Sequence, residues 1–310
     1  MGVLNVRIGA RSSRLSKAQT SLVSELISSS FGDSLTLEFV PVKTLGDRLP
    51  PAAKRKLGKA GEKGAFTGDL EALLLDGKID VAIHSMKDLP SEPTEGLEIG
   101  ATPRRSDPRD ALVSGRGGTM KTLSKSARVG TSSLRRKAQL MKMRPDLRVV
   151  ELHGNVDTRL RKVAEGTGEL DAIVLAVAGL ERLGEKAKIS QTFSVDEMVP
   201  ALGQGTIAVQ MRRGDRDVAR VLAGIDDEAT GLESACERAF ALRLGADCNV
   251  PVGGCARVSG SEITMIGMVA KEDGTDYRRR STSGPSSKAA PLGTRLAEAL
   301  MEGARGGAAS

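Results

Sequence analysis

Residues 7–19 read RIGARSSRLSKAQ, and residues 128–139 read RVGTSSLRRKAQ, so the two segments align with a single gap. Each starts as an alternating strand, passes through a serine-containing turn and continues with the apolar spacing of a helix. A second pair follows in the same order: residues 77–83 read GKIDVAI and residues 168–174 read GELDAIV, both typical of buried parallel strands. The repeated order predicts a duplicated α/β lobe.

A strand followed by a tight turn and a helix N-terminus predicts an anion site, because the N–H groups of the first helical turn and the helix dipole attract negative charge. In the first segment, Ser12 or Ser13 is the expected N-cap. The apolar positions of its helix are Leu15, Ala18, Leu22 and Leu26. In the second segment, Arg135 and Arg136 lie close to the helix N-terminus.

A third segment of this kind, residues 148–163, reads RVVELHGNVDTRLRKV. Its strand-like start turns at His153, Gly154 and Asn155, and Arg159 lies one turn into the following helix. One such segment would be weak support for a ligand site. Three of them in a chain of net charge +7 predict a ligand with several carboxylates or phosphates.

The basic composition points to an anionic partner other than nucleic acid. Aromatic residues make up 2% of the 310 residues, with no Trp and one Tyr, whereas proteins that bind single strands stack bases on aromatic rings. The sequence has no zinc-finger, KH or RRM signature and no apolar run of the ~18 residues that a membrane span needs. Without a signal-peptide pattern, the chain is expected to be cytoplasmic, with no membrane partner.

The three cysteines, Cys236, Cys248 and Cys255, do not fit a disulfide framework, because their number is odd. A metal site is not expected either, since no CxxC occurs and His84 and His153 lie far from the cysteines in the sequence. Cys248 lies in the loop GADCNVPVGG and has no nearby histidine to activate it as a nucleophile. A covalent tether needs only an exposed loop, so that role stays open for Cys248.

A candidate catalytic group follows the predicted strand 79–83, which runs directly into HSMKDLP. Binding and catalytic residues cluster beyond the carboxyl ends of parallel strands. Asp88 is the one acid in this motif, and it is either a functional carboxylate or a residue that pairs with Lys87 or caps a turn. His84 is expected to pack or hydrogen-bond rather than to catalyse.

After Gly224 the pattern changes to that of a small α+β domain. The expected elements are a helix at 227–244, strands near 256–258, 263–269 and 277–280, and a last helix near 291–301. The basic segment 50–64 has no apolar periodicity and is either a solvated linker or a mobile loop.

The motifs HSMKDLP, GTSSLRR, GNVDTRL, DAIVLAVAGLERLG, VPALGQG and ADCNVPVGG occur in this order. Together they resemble the porphobilinogen deaminase family, from Arg7 to about Val269. The resemblance implies an α/β fold in which two periplasmic-binding-protein-like α/β lobes surround a cleft, with a small C-terminal α+β domain. The implied domains are residues 1–103 with 204–223, residues 104–203, and residues 224–310.

The same resemblance implies a transferase of tetrapyrrole biosynthesis that condenses four porphobilinogen molecules head to tail into hydroxymethylbilane, releasing ammonia each time. Its cofactor is a dipyrromethane joined to Cys248 through a thioether, which leaves Cys236 and Cys255 as structural residues. Asp88 matches the catalytic acid. The expected partners are porphobilinogen and its polypyrrole intermediates, without metal, nucleic acid or membrane, and the expected protein is a monomer.

The remaining site residues follow from the motifs. Those that match the family's cofactor and substrate contacts are Arg11, Ser13, Lys87, Thr131, Ser132, Ser133, Arg135, Arg136, His153, Gly154, Asn155 and Arg159. Lys59 and Lys63 match a mobile flap, in which Glu62 and Ala65 replace the usual glycine and leucine. His153 stands where the family usually has arginine, and a neutral imidazole binds a carboxylate more weakly than a guanidinium does.

Two other functions stay open at the level of the sequence. Two lobes with anion sites would suit a non-catalytic carboxylate-binding protein, and the basic charge would suit a nucleic-acid binder. Asp88 and Cys248 favour the enzyme, since a protein that only binds its ligand needs neither.

Overall fold

The computed structural model describes residues 4–49, 66–165, 169–245 and 251–305. Its strands are β1 (Leu4–Arg11), β2 (Leu35–Val42), β3 (Val81–Ser85), β4 (Leu97–Ala101), β5 (Asp110–Ser114), β6 (Arg128–Gly130), β7 (Arg148–Val150), β8 (Ala172–Ala176), β9 (Gln191–Thr192), β10 (Ile207–Arg212), β11 (Val252–Ser259), β12 (Glu262–Val269) and β13 (Arg278–Pro285). Its helices are α1 (Arg14–Phe31), α2 (Leu45–Arg48), α3 (66–75 in the described part), α4 (Leu134–Met143), α5 (Val156–Ala164), α6 (Val177–Arg182), α7 (Arg216–Ala223), α8 (Glu228–Arg243) and α9 (Ala289–Arg305).

These elements form two compact units with closely related sheets. Unit 1 comprises Met1–Ser106 and Thr206–Gly231, and unit 2 comprises Asp107–Gly205 and Leu232–Ser310. The five-stranded sheet of unit 1 has the order β2-β1-β3-β10-β4, and that of unit 2 has the order β7-β6-β8-β5-β9. In each sheet the first three strands are parallel and the fourth is antiparallel to both of its neighbours. The shared topology confirms the predicted duplication of an α/β lobe.

The duplication extends to the junction between parallel strands. In unit 1 the Arg7 N–H donates to the Asp80 carboxylate at 2.9 Å, and in unit 2 the Arg128 N–H donates to Asp171 at 2.7 Å. Both aspartates occupy the same place in the repeated segments, directly before β3 and β8. The same acidic residue therefore joins neighbouring strands in each lobe.

Helix α1 begins where the sequence predicts, with Ser13 as its N-cap, but its buried face is a different one. The buried residues are Ser16, Gln19, Thr20, Val23 and Ile27. Leu22 and Leu26, which the apolar spacing places on the main face, are exposed. The prediction of this face was wrong because polar side chains are satisfied in the core, where the Gln19 amide donates to Ser85 Oγ at 3.0 Å.

The C-terminal part of unit 2 is the α+β region that the sequence predicts. Strands β11, β12 and β13 form an antiparallel sheet, and α8 and α9 share with it an apolar cluster that includes Phe240. Helix α8 also protects the outer edge of β11, because Glu237 and Glu233 accept hydrogen bonds from the N–H groups of Ala256 at 2.8 Å and Val258 at 3.1 Å.

The fold is therefore mixed α/β, with two sheet-containing lobes and a small C-terminal α+β region. The division into three domains at the predicted boundaries stays a prediction. No helix within the described ranges combines the length and the apolar character that crossing a membrane requires.

Candidate functional site

Asp88 lies just beyond the carboxyl end of β3, in a 3-10 turn formed by Met86–Asp88. The Met86 N–H anchors this turn by donating to the Thr206 carbonyl at 3.0 Å. The Asp88 side chain is half-buried, and among the residues that the structure describes no cation or hydrogen-bond donor pairs with its carboxylate. Asp88 thus lies where the sequence predicts, beyond the carboxyl end of β3, and its role as a functional carboxylate stays a prediction.

A buried chain of hydrogen bonds holds the strand that leads to Asp88. His84 Nε2 lies 3.1 Å from Gln210 Oε1, and Gln210 Nε2 donates to Glu71 at 3.0 Å. Burial lowers the pKa of His84 to about 4. The imidazole is therefore neutral near pH 7 and donates its Nε2–H to Gln210. This confirms the prediction that His84 packs and hydrogen-bonds.

The buried imidazole of His84 makes an acid-sensitive contribution to stability. In the unfolded chain it takes up a proton near pH 6.5, whereas in the folded unit it does so only near pH 4. The lowered pKa means that this stability is present above pH 6.5 and is lost as the pH falls toward 4. The free energy of unfolding is expected to fall by about 2 kcal/mol from roughly pH 7 to pH 5 on this account. In urea unfolding, the free energy of unfolding of His84→Gln should depend less steeply on pH than that of the wild type. Equal pH dependence in the two proteins would contradict the lowered pKa of His84.

Two predicted contact residues of unit 1 lie at the turn between β1 and α1. Arg11 donates to the Asp47 carboxylate from Nη2 at 2.5 Å and from Nε at 3.2 Å, and its guanidinium stacks 4.0 Å from the centroid of the Phe66 ring. Burial would raise the pKa of Asp47, but hydrogen bonds from Arg11 and Thr44 outweigh it and keep that pKa below its ordinary value. Arg11 is thus held in place, while the Ser13 hydroxyl caps α1.

The predicted hydroxyl cluster of unit 2 forms the turn between β6 and α4. Thr131 is buried, and its Oγ1 accepts a hydrogen bond from the Ser133 N–H at 3.1 Å. Ser132 Oγ donates to the Leu152 carbonyl, and Ser133 Oγ is the N-cap of α4. The hydroxyls therefore shape the turn so that the first N–H groups of α4 lie at its end.

Arg135 and Arg136, in the first turn of α4, are both buried around one carboxylate. Asp110 accepts from Arg136 Nη2 at 2.7 Å and Nε at 3.1 Å, and it lies 2.8 Å from Arg135 Nη1. Burial alone would raise the pKa of Asp110, but the two guanidiniums lower it to about 2. The cluster therefore holds one negative and two positive charges, a net charge of +1 shielded from water.

The third anion segment folds as predicted into strand, turn and helix. Asn155 is the N-cap of α5 and accepts a hydrogen bond from the Thr158 N–H at 2.9 Å. Arg159 Nε donates to the Gly154 carbonyl at 2.7 Å. His153 Nε2 lies 2.8 Å from Glu151 Oε1. The structure thus brings His153, Asn155 and Arg159 to one helix N-terminus.

Three predicted site residues, Cys248, Lys59 and Lys63, lie outside the described residues. The other two cysteines, Cys236 and Cys255, are both buried. Burial raises the pKa of the Cys236 thiol to about 12, so that this thiol is a poor nucleophile near neutral pH.

Both parts of the chain match models of known families. Residues 6–220 match "Porphobilinogen deaminase, dipyromethane cofactor binding domain", and residues 232–302 match "Porphobilinogen deaminase, C-terminal domain". A porphobilinogen deaminase of Roseiflexus sp. (strain RS-1) is 45% identical over 295 residues, which cover 95% of each chain. One of Pelotomaculum thermopropionicum is 45% identical over 297 residues, covering 96% of this chain and 93% of the relative.

The chain belongs to the porphobilinogen deaminase family. This confirms the predicted family, and with it a transferase of tetrapyrrole biosynthesis with a dipyrromethane cofactor. Similar solved structures include a TRAP periplasmic solute binding protein from Desulfovibrio salexigens, at a TM-score of 0.43 and 9% identity, with 73% of each chain covered.

The residues of this porphobilinogen deaminase family member fit the charge of a dipyrromethane, which carries several carboxylates. Guanidiniums, hydroxyls and helix N-termini are the groups that bind carboxylates most strongly. One buried donor is also left over: Arg135 is 5% exposed, and its Nε has no hydrogen-bond partner in the described structure. The donor set therefore suits this cofactor.

Sequence reasoning did not single out Asp110, and it included Gln204 and Arg182 only as members of the motifs VPALGQG and DAIVLAVAGLERLG. Gln204 Nε2 donates to Asp110 at 3.0 Å and to the Pro108 carbonyl at 2.7 Å. Arg182 Nη2 donates to the Gly205 carbonyl at 2.6 Å, and burial lowers its pKa to about 10. An acid opening the apolar run DALVS was the available signal for Asp110, because an isolated charge at the start of a buried strand needs a partner.

Proposed function

We propose that this chain condenses four porphobilinogen molecules head to tail into hydroxymethylbilane, with release of one ammonia at each condensation. The observation that carries the proposal is the match of both family models, which together span most of the chain from residue 6 to residue 302. Incubation of the purified protein with porphobilinogen should release four equivalents of ammonia for each equivalent of linear tetrapyrrole. A protein that binds porphobilinogen but releases no ammonia would contradict the proposal.

In this proposal Asp88 is the catalytic residue. Departure of ammonia from porphobilinogen leaves a cationic azafulvenium, and a fixed carboxylate stabilises that charge. The same carboxylate can take and return a proton at a pyrrole nitrogen. Its place in the 3-10 turn just beyond the carboxyl end of β3 supports this role, because catalytic groups cluster at that end of parallel strands.

The carboxylates of substrate and cofactor are assigned to the cationic residues and helix N-termini of the two units. In unit 1 these residues are Arg11, Ser13 and Lys87. In unit 2 they are Thr131, Ser132, Ser133, Arg135, Arg136, His153, Gly154, Asn155 and Arg159. Each pyrrole carries an acetate and a propionate, so several charge-assisted hydrogen bonds are needed for each ring. Lys59 and Lys63 are proposed to cover the bound pyrroles.

The dipyrromethane, when bound, supplies the primer pyrrole to which the first substrate is joined. We assign its attachment to Cys248. The burial of Cys236 and Cys255 supports this choice, since a thioether to a large polyanion needs a thiol that the substrate can reach. The raised pKa of Cys236 argues further against that residue.

His153→Arg is expected to speed chain elongation by roughly threefold, because a planar guanidinium offers a carboxylate several hydrogen-bond donors in a fixed fork, whereas an imidazole offers at most two. In the wild type, the 2.8 Å contact with Glu151 also occupies His153 Nε2. Single-turnover elongation rates measured across the neutral pH range test this. The variant should elongate faster than the wild type, and equal rates for the two proteins would contradict the hypothesis.

The protein is further proposed to act as a cytoplasmic monomer, as the family resemblance implies. Light scattering of the purified protein and fractionation of cells that produce it test the two statements. A stable dimer in solution or recovery of the protein in a membrane fraction would contradict them.

A further inference from the structure

The two lobes differ in charge at one pair of equivalent positions. In unit 1, β10 pairs with β3 so that Ile207 lies opposite Ser85, the last residue of β3. In unit 2, β5 pairs with β8 so that Asp110 lies opposite Ala176, the last residue of β8. Asp110 therefore occupies the place of Ile207.

The residue that pairs with Asp110 also has an uncharged counterpart in unit 1. The repeated segments align Ser16 of α1 with Arg136 of α4, since each lies three residues after the serine N-cap. Both are buried. Unit 1 thus has two uncharged residues, Ser16 and Ile207, at the positions where unit 2 has an ion pair, Arg136 and Asp110. Because unit 1 forms the same sheet without these charges, the shared fold does not require them.

Burial of this ion pair costs free energy, although the fold does not require the pair. Asp110 is 0% exposed, and the Arg135 and Arg136 side chains are 5% and 7% exposed. Burying an ion removes it from water at a large cost in free energy, and an apolar pair of similar volume is often as stable as a buried ion pair. One carboxylate also leaves two guanidiniums with a net charge of +1. A buried cluster of this kind is suited to receive an external anion.

We propose that Asp110 is a positioning residue that holds Arg135 and Arg136 in place for the carboxylates of the pyrrole ligands. The inference rests on the proposed function. Asp110 orients Arg136 through two hydrogen bonds, at 2.7 and 3.1 Å, and it meets Arg135 Nη1 at 2.8 Å. The negative charge of Asp110 neutralises only one of the two guanidinium charges. The Nε of Arg135, which has no partner in the described structure, is left as a donor.

The segment that ends the first stretch of unit 2, Asp107–Gly205, holds the cluster from a second side. Arg135 Nη1 donates to the Val199 carbonyl at 2.5 Å, and the Gln139 amide donates to the same carbonyl at 3.1 Å. Gln204 donates to Asp110 at 3.0 Å. Asp110 is thus fixed by Gln204 while it fixes the arginines, so that ligand carboxylates meet guanidiniums whose orientation is already set.

Asp110→Asn tests the proposal, with Asp80→Asn as a matched control. Asp80 is likewise one carboxylate between two arginines, Arg7 at 2.8 Å and Arg212 at 2.9 Å, but it lies at the opposite end of β3 from Asp88. For each protein, we would measure the melting temperature, the fraction that carries the covalent cofactor by intact mass, and KM and kcat for porphobilinogen.

Asp110→Asn is expected to lower the loaded fraction or to raise KM by about tenfold, because misaligned guanidiniums lose charge-assisted hydrogen bonds. The kcat of its loaded fraction should stay near the wild-type value, since Asp88 is untouched. Asp80→Asn should lose melting temperature but keep wild-type loading and KM. Wild-type loading and KM in Asp110→Asn would overturn the proposal, as would an equal loss in Asp80→Asn at equal melting temperature.

Asp110→Glu is the variant to test if Asp110→Asn does not accumulate as folded protein. It keeps the buried negative charge but displaces the carboxylate by one methylene, so the folded variant should still load less cofactor or show a higher KM. A folded Asp110→Glu with wild-type loading and KM would overturn the proposal. Failure of the proposed function itself would appear differently, as a wild-type protein that carries no adduct and releases no ammonia.

Discussion

Asp88→Asn is expected to keep its covalent cofactor and to lose turnover by roughly 10³-fold, the size of effect seen when a catalytic acid–base and charge-stabilising group is removed. Asparagine has the same shape as aspartate, so the 3-10 turn Met86–Asp88 should persist. What is lost is the negative charge that stabilises the azafulvenium and the site that accepts a proton. The variant should therefore bind porphobilinogen but release ammonia very slowly.

The measurement for Asp88→Asn combines intact mass with the rate of ammonia release. Asp76→Asn is a suitable control, because Asp76 is an exposed aspartate of the same unit that forms a surface ion pair with Lys78 at 3.0 Å. It should retain wild-type turnover. Normal turnover in Asp88→Asn would remove Asp88 from the mechanism, and loss of the adduct would mean that Asp88 acts in cofactor assembly or retention.

Cys248→Ser is expected to yield a protein without covalent cofactor and without measurable turnover. Attachment replaces the thiol S–H bond with an S–C bond and assembles two substrate units with loss of two ammonia molecules. The denatured wild type should therefore exceed its sequence mass by two porphobilinogen molecules less two ammonia molecules. A serine hydroxyl is a much weaker nucleophile than a thiol near neutral pH, so the adduct should be absent from the variant.

Cys255→Ala provides the control for the attachment site. Cys255 is buried at 6% exposure, and its replacement should lower stability modestly while the adduct stays in place. A wild-type protein that is fully active without any adduct would refute the tether. An adduct that persists in Cys248→Ser and disappears in Cys255→Ala would show that the cofactor is attached to Cys255 instead.

The repeated segments predicted the lobes because their information is local. A strand, a capping serine and a helix are specified by neighbouring residues. Ser13, one of the two serines expected to cap α1, is its N-cap, and Ser133 caps α4 at the equivalent place. The buried face of α1 could not be predicted in this way. Apolar spacing marks Leu22 and Leu26, but the core on that side accepts polar groups such as Gln19.

The family motifs likewise named the site residues but not their partners. Arg11 is predicted as a ligand contact, and the structure adds that Asp47 and Phe66 hold it. These three residues come from distant parts of the chain, so no local pattern connects them. The pairing of His84 with Gln210, across β3 and β10, is hidden for the same reason.

The sequence by itself determined the two α/β lobes, the cationic character of the ligand site and the family, because repeats, net charge and motifs can be read along the chain. Only the tertiary structure decided that Asp110 is buried between Arg135 and Arg136. Antiparallel pairing of β5 with β8 carries the aspartate to the first turn of α4, across 26 positions of sequence from Arg136. A buried charge depends on such three-dimensional neighbours, since its stability is set by the counter-charges around it.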